Sequence, residues 1–176
     1  TEDANLGMAG PAMVEGGGLG VFTPEDVGPM DVQVPNGVVD VLVADDAAAV
    51  AAAKRCLSYF QGPTDDWSCG DQLELRAVVP ENRKRVYDVR AAIDLLADTD
   101  SVMELRRGFA AGMITSLARL EGRPVGIIAN DPTPLGGAND ADAADKAARF
   151  MQLCDGHGPP IVFRCDTPGF MVGPAA

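Results

Sequence analysis

The stretch 132–173 constrains the fold more than any other part of this chain. From Asp140 onward, apolar residues recur with the spacing of one face of an α-helix, which predicts an amphipathic helix with one buried stripe. Asn139 or Asp140 can cap the start of this helix, and Gly156 or Gly158 can end it.

A short apolar segment and a glycine loop follow this helix. Ile161-Val162-Phe163 predicts a buried strand, and Asp166-Thr167-Pro168-Gly169-Phe170 predicts a sharp turn at the carboxyl end of that strand. Proteins of the α/β class bind ligands at such loops, where backbone N–H groups point outward. We therefore expect a binding site at this turn.

The residues before this stretch predict helices and a β-hairpin. We expect a helix over 89–97, a second short helix over 102–109, and two strands over 114–120 and 124–129. Glu121-Gly122 joins the two strands, and a two-residue turn that ends in glycine is a strong hairpin signal. The second strand is almost wholly apolar, as expected of a strand covered on both faces. The order of elements predicts an α/β fold.

The first part of the chain is less regular. A buried strand is expected over 38–43 and an acid-capped helix over about 45–60, whereas 62–85 has the composition of a linker. Trp67 in this linker can pack against a domain or stack on a ligand. The glycine-rich run 7–20 can cradle a ligand through its backbone or form a mobile surface loop.

Charge and cysteine spacing exclude several kinds of partner. A net charge of −12 argues against nucleic acid, because phosphate binding needs a basic surface. No apolar run approaches the ~20 residues that cross a bilayer, and no signal peptide is visible, so we expect no membrane partner. The four cysteines are far apart and His157 is the only histidine, which predicts no metal site and reduced, buried thiols.

Motifs spread along nearly the whole chain identify a family. They read GPAMVEGGGLG at 10–20, PENR at 80–83, GRPVG at 122–126, AN at 129–130, ADKAARF at 144–150 and DTPGF at 166–170. Together they resemble the β-type carboxyltransferase subunit of biotin-dependent acyl-CoA carboxylases, the propionyl-, acetyl- and methylcrotonyl-CoA carboxylase group. This resemblance implies a crotonase-like (ClpP/crotonase) fold.

The resemblance also implies a domain organisation. Residues 1–62 would be the C-terminal part of an N-terminal carboxyltransferase domain, 63–86 a linker, and 87–176 the N-terminal part of a C-terminal carboxyltransferase domain. The chain would then be a middle fragment of a longer parent, with Thr1 and Ala176 as cut ends. We expect such a fragment to be inactive alone.

The function implied is carboxyl transfer from carboxybiotin to the α-carbon of a short-chain acyl-CoA. Pairs of backbone N–H groups can stabilise the charges that develop, without a metal or a protein nucleophile. The matching donors on the biotin side are the N–H groups of Gly169 and Phe170, and Gly16, Gly17 and Gly18 would lie on the acyl-CoA side. Pro168 cannot donate.

Partners follow from the same resemblance. The cofactor would be biotin on a partner carrier domain, supplied by a biotin carboxylase and biotin carboxyl carrier subunit, and the parent would be a cytoplasmic homo-oligomer, a hexamer. The loops 16–18 and 168–170 are expected to face another subunit. Two other functions remain: a different crotonase-fold acyl-CoA enzyme, such as a hydratase or decarboxylase, and a non-catalytic remnant or assembly module.

Overall fold

A computed structural model describes residues 1–82 and 85–173 of the chain. Arg83 of the PENR motif and the last three residues of the expected second domain lie outside the described residues. The helices are α1 (Pro11–Gly16), α2 (Met30–Gln33), α3 (Asp46–Ser58), α4 (Leu75–Val78), α5 (Val89–Leu96) and α6 (Ala141–His157). The strands are β1 (Met103–Leu105), β2 (Met113–Leu120), β3 (Arg123–Asn130) and β4 (Ile161–Arg164).

A mixed sheet in the order β1-β2-β3-β4 organises the structure. β1 pairs antiparallel with β2, β2 pairs antiparallel with β3, and β3 pairs parallel with β4. The parallel pair needs a crossover, which α6 supplies. The predicted α/β class is therefore confirmed.

The hairpin between β2 and β3 is also confirmed. Glu121 and Gly122 both have positive φ, at 51° and 76°, as a tight type I′ turn requires. The buried Asp98 carboxylate accepts both N–H groups of this turn, from Glu121 at 2.9 Å and from Gly122 at 2.7 Å. The linker lies against the same turn, because the Thr64 N–H donates to the Gly122 carbonyl at 3.0 Å.

Helices cover both faces of the sheet. On one face, α6 and the end of α3 pack over Met103, Leu105, Met113, Leu117 and Ile128. On the other face, α5 packs over Ile114, Ala118, Val125, Ile127 and Ala129. Helices thus cover both faces of β3, which confirms the burial predicted from its apolar run.

The division into domains stays a prediction. Tyr59, directly after α3, is 2 % exposed and belongs to the same core as the sheet residues Leu117 and Ile128. The segment expected to close the first domain therefore packs on the sheet expected to open the second.

Side-chain caps start both long helices. Asp140 accepts a hydrogen bond from the Ala143 N–H at 2.8 Å, and α6 ends before Gly158, which adopts left-handed φ. Asp45 accepts one from the Ala48 N–H at 2.8 Å. Of the alternatives for α6, the structure thus selects Asp140 and Gly158.

Two expected elements are wrong, and a third is confirmed as a strand but not as a buried one. Residues 102–109 contain β1 rather than a helix, because Met103 and Leu105 alternate with Glu104 and find a pairing partner in β2. Residues 38–43 form no strand and are only partly buried. Arg106 links them to the sheet side twice: its N–H donates to the Asp40 carbonyl at 2.7 Å, and its Nε donates to Asp40 Oδ1 at 2.8 Å. β4 is a strand, but Phe163 is 60 % exposed, so it is not buried.

Two expectations about loops and thiols also need correction. Residues 11–16 are helical, with Pro11 at the first turn, so Gly16 ends a helix instead of lying inside a loop. All four cysteines are free, but Cys69 and Cys165 are exposed, so only Cys154 is fully buried as expected. None of the helices in the described ranges has the length and hydrophobicity needed to span a membrane.

Candidate functional site

Two loops meet at one edge of the sheet, beyond the carboxyl ends of the parallel strands β3 and β4. Asn130, the last residue of β3, is 5 % exposed and its amide links both loops. Its Nδ2 donates to Asn139 Oδ1 at 2.8 Å, and its Oδ1 accepts from the Asp166 N–H at 3.2 Å. One buried side chain therefore connects the entrance of α6 to the loop that follows β4.

The 166–170 loop is held at its far end by Asn139. The Asn139 N–H donates to the Gly169 carbonyl at 3.0 Å, and the Met171 N–H donates to the Asn139 carbonyl at 2.8 Å. These two bonds form a parallel bridge between Asn139 and Phe170. Gly169 and Met171, the neighbours of Phe170, make the two bonds to Asn139, so the N–H of Phe170 itself points to the opposite side.

The two expected backbone donors are therefore not equivalent. The Gly169 N–H donates to Thr167 Oγ1 at 3.1 Å, within the loop. The Phe170 N–H makes no hydrogen bond to any described residue, and the Phe170 side chain is 70 % exposed. Gly169 has a φ of 137°, a conformation that favours glycine. Of the two groups, the Phe170 N–H is the one available to an acceptor from outside.

A side-chain relay holds the first residue of the loop. The Tyr87 hydroxyl donates to Asp166 Oδ2, and Arg164 Nη2 donates to Tyr87 Oη at 2.7 Å. The Arg164 guanidinium also lies over the Tyr87 ring, 5.0 Å from its centre. Burial raises the pKa of Tyr87, and the bond to Asp166 raises it further, so the phenol keeps its proton.

A glycine turn packs beneath the loop. Gly136 and Gly137 have φ values of 62° and 84°. A Cβ on Gly137 would lie 2.9 Å from the Asp166 carbonyl oxygen, so only glycine allows this approach. The turn thus supports the loop by close backbone contact, next to the N-terminus of α6.

An ion-pair network holds the start of that turn. Arg90 on α5 binds both oxygens of Glu104 on β1, at 2.9 and 2.7 Å, and also binds Asp131 at 2.7 Å. Burial pushes the pKa of Asp131 upward, but the Thr133 N–H and Arg90 outweigh it and the pKa is lowered. Asp131 therefore stays a carboxylate that fixes the chain just after β3.

The amino-acid sequence over residues 1–176 matches the family model described as the carboxyl transferase domain. The chain belongs to the carboxyl transferase domain family. It is 34 % identical to the methylmalonyl-CoA carboxyltransferase 12S subunit of Propionibacterium freudenreichii subsp. shermanii, over 98 % of this chain and 35 % of that protein. It is 34 % identical to the biotin-dependent acetyl-/propionyl-coenzyme A carboxylase beta6 subunit of Mycobacterium tuberculosis, over 97 % of this chain and 37 % of that protein.

Solved structures of the carboxyl transferase family share the fold. A single-chain, multi-domain long-chain acyl-CoA carboxylase matches with a TM-score of 0.97 and 55 % identity, over 99 % of this chain and 18 % of that chain. The hexameric transcarboxylase 12S, solved with hydrolysed methylmalonyl-CoA, matches with a TM-score of 0.82 and 33 % identity, over 98 % of this chain and 36 % of that chain. The chain thus spans about a third of the length of the curated relatives named above.

Within this carboxyl transferase chain, the second group of expected site residues lies at the end of α1 and directly after it. Gly16, Gly17 and Gly18 are exposed at the end of α1, and the N–H groups of Gly17 and Gly18 bond to carbonyls of α1 itself. No hydrogen bond in the described ranges joins them to the 166–170 loop. Their role toward acyl-CoA stays a prediction.

Sequence reasoning missed three residues that build this edge. Asn130 stands in a family motif, but nothing in the motif shows that its amide spans two loops. Tyr87 and Arg90 lie far along the chain from Asp166 and Asp131, so only the fold reveals these pairs. Among the described residues, no cluster of three or more His, Cys, Asp or Glu side chains could hold a metal ion.

Proposed function

We propose that the protein containing this chain transfers a carboxyl group from carboxybiotin to the α-carbon of an acyl-CoA, with a short-chain acyl-CoA as the expected substrate. The observation that carries the proposal is that the whole chain belongs to the carboxyl transferase domain family, with named relatives that act on methylmalonyl-, acetyl- and propionyl-CoA. We also propose that the mixed sheet belongs to a crotonase-like unit.

The 166–170 loop supports the biotin side of this proposal. Carboxybiotin, carried on a partner domain, would supply the activated carboxyl group. The Phe170 N–H, which makes no hydrogen bond among the described residues, would donate to the ureido oxygen as negative charge develops there. Gly169 would shape the loop through its positive φ, while its own N–H stays bonded to Thr167. A neutral backbone donor suits this acceptor, because it stabilises charge without a proton transfer.

The acyl-CoA side of the proposed site involves the glycines that follow α1 and a second subunit. We propose that Gly16, Gly17 and Gly18 let acyl-CoA approach the backbone closely. We also propose that the segments 16–18 and 168–170 face a neighbouring subunit of a cytoplasmic hexamer. The hexameric assembly of transcarboxylase 12S supports this arrangement. A biotin carboxylase and a biotin carboxyl carrier domain are the proposed partners, and the 176-residue chain alone is expected to be inactive.

A second substrate class is favoured by one comparison. The solved structure that matches with 55 % identity is described as a long-chain acyl-CoA carboxylase. Long-chain acyl-CoA is therefore the alternative to the short-chain substrate.

The test uses the full-length protein with its biotinylated partner, ATP and labelled bicarbonate. Acetyl-, propionyl-, butyryl-, methylcrotonyl- and a long-chain acyl-CoA are offered separately, and label in the acyl-CoA product is measured. We expect product with at least one of them and none without the biotinylated partner. If no acyl-CoA is carboxylated while an enoyl-CoA is hydrated without biotin, the protein is a different acyl-CoA enzyme.

A further inference from the structure

We infer that Tyr87 is a positioning residue for the transfer proposed above: its hydroxyl holds the Asp166 carboxylate and thereby the backbone of the 166–170 loop. The inference rests on the proposed function, because it assigns Tyr87 a part in placing the Phe170 N–H. Tyr87 itself need not touch either substrate.

The hydrogen-bond order of the relay gives Tyr87 one direction in which to donate. Arg164 Nη2 donates to the phenol oxygen at 2.7 Å and so occupies one of its acceptor positions. The phenol proton is then directed to Asp166 Oδ2. The guanidinium over the ring restrains the ring from its face. Tyr87 is therefore held on two sides before it makes its bond to the loop.

The contacts of Asp166 pass this restraint to the backbone. Its N–H bonds to Asn130 at 3.2 Å, which is long for such a bond, and its carbonyl oxygen abuts Gly137. The Tyr87 bond is a charge-assisted bond to the carboxylate of the same residue. Without it, the near end of the loop would depend on the long Asn130 bond and on backbone packing.

Only three residues separate Asp166 from Phe170, and the far end of the loop is bonded to Asn139. A loop this short that is held at both ends has few conformations, so the direction of the Phe170 N–H is largely determined by the two ends. Release of the Asp166 end would let that N–H move away from its acceptor, and a displacement of about 1 Å can lower a rate ~100-fold.

The relay also affects charge at this edge. Asp166 is an exposed carboxylate in the loop where we propose that an anionic oxygen develops. The hydroxyl of Tyr87 and the positive charge of Arg164 offset that carboxylate. Loss of the hydroxyl would therefore remove both an anchor and part of this compensation.

The experiment compares single and double variants of the full-length protein with its biotinylated partner. Tyr87→Phe removes the hydroxyl and keeps the ring under Arg164, Asp166→Ala removes the acceptor, and Asp166→Asn keeps an acceptor oxygen. Tyr59→Phe is the matched control, since it removes the hydroxyl of the other tyrosine, which donates to the Ser101 carbonyl away from this loop.

We expect Tyr87→Phe and Asp166→Ala each to lower kcat roughly 10- to 100-fold, with the KM for acyl-CoA nearly unchanged. The double variant should lose little more than either single variant, and Asp166→Asn should retain most of kcat. Tyr59→Phe should match the wild type. An unchanged kcat in Tyr87→Phe, or losses that add fully in the double variant, would overturn the inference.

A second measurement separates this inference from the proposed function. Amide hydrogen exchange over residues 166–171 is expected to be faster in Tyr87→Phe than in the wild type and in Tyr59→Phe. If the wild type carboxylates no acyl-CoA, the proposed function fails, but faster exchange would still show that Tyr87 holds the loop. Equal exchange in all three proteins would overturn the positioning role whatever the activity.

Discussion

Replacement of Lys146 by methionine is expected to change how the stability of α6 depends on pH. Lys146 is 1 % exposed, and its amine donates to the carbonyls of Phe109 and Ala110, at 2.7 and 3.4 Å. No carboxylate of the described residues lies within salt-bridge distance of this amine. Burial lowers its pKa from 10.5 to about 8, although Glu104 acts in the opposite direction.

The sign of the effect follows from proton binding. Above pH 8 the folded protein loses the Lys146 proton, while the unfolded chain keeps it up to its pKa of 10.5, so the unfolded state binds more protons and stability rises with pH. Burial of this amine costs about 3 kcal/mol at pH 7, where the group is mostly charged. It costs about 2 kcal/mol at pH 9, where the group is mostly neutral and the folded protein has released a proton that the unfolded chain keeps. The stability of the wild type relative to Lys146→Met should therefore rise by about 1 kcal/mol between pH 7 and pH 9. This corresponds to a several-fold decrease in the equilibrium constant for opening of α6 in the wild type relative to the variant.

The assay is amide hydrogen exchange over residues 141–157 in the full-length protein at both pH values. At each pH the wild type is compared with Lys146→Met, so that the intrinsic pH dependence of exchange cancels. Lys54→Met is the control, because Lys54 lies exposed on α3 and its replacement removes no buried cation. If the difference between wild type and Lys146→Met stays constant or falls as pH rises, the buried amine does not carry the cost argued above.

The remaining predictions concern backbone positions. Gly122→Ala should destabilise the protein by about 2 to 5 kcal/mol, because it adds left-handed strain and a Cβ that would lie 1.9 Å from the Thr64 carbonyl oxygen. Gly136→Ala adds the same strain, but no atom lies within 4 Å of its Cβ, so we expect it to lower the free energy of unfolding by only about 1 to 2 kcal/mol. Urea unfolding measures both losses, and equal losses would contradict the steric argument. Phe170→Pro removes the free N–H and should lower kcat by about 100- to 1,000-fold, whereas Phe170→Ala keeps the N–H and should retain most of it. Similar losses in both variants would assign the effect to the side chain.

Local patterns predicted the elements whose partners lie nearby in the chain. The Glu121-Gly122 hairpin and the helix α6, with its N-cap at one of the two expected residues, were confirmed, because a two-residue glycine turn and an N-cap act within a few residues. The helix predicted over 102–109 is wrong, since the burial of Met103 and Leu105 depends on pairing with β2. Residues 38–43 look like a strand by composition, but they form no strand in the structure.

In the candidate site, too, the sequence predicted the local features and the structure added the contacts between distant residues. The DTPGF motif located the loop, and its glycine and proline indicated which residues could donate through the backbone. The structure distinguished the two donors, because the Gly169 N–H bonds to Thr167 whereas the Phe170 N–H makes no such bond among the described residues. That difference depends on the bridge to Asn139, which no pattern within the motif contains.

The α/β class and the place of the loop could be predicted from the amino-acid sequence, because helix periodicity and turn residues act within a few positions. The quoted motifs indicated the family by resemblance, and the family match confirmed it. The side chains that hold the loop are visible only in the packed fold. Tyr87 and Asp166 meet across 79 residues, and Asn130 joins segments on either side of α6. Hydrogen bonds of this kind act over about 3 Å, so they form only where the packed sheet and helices bring distant segments together.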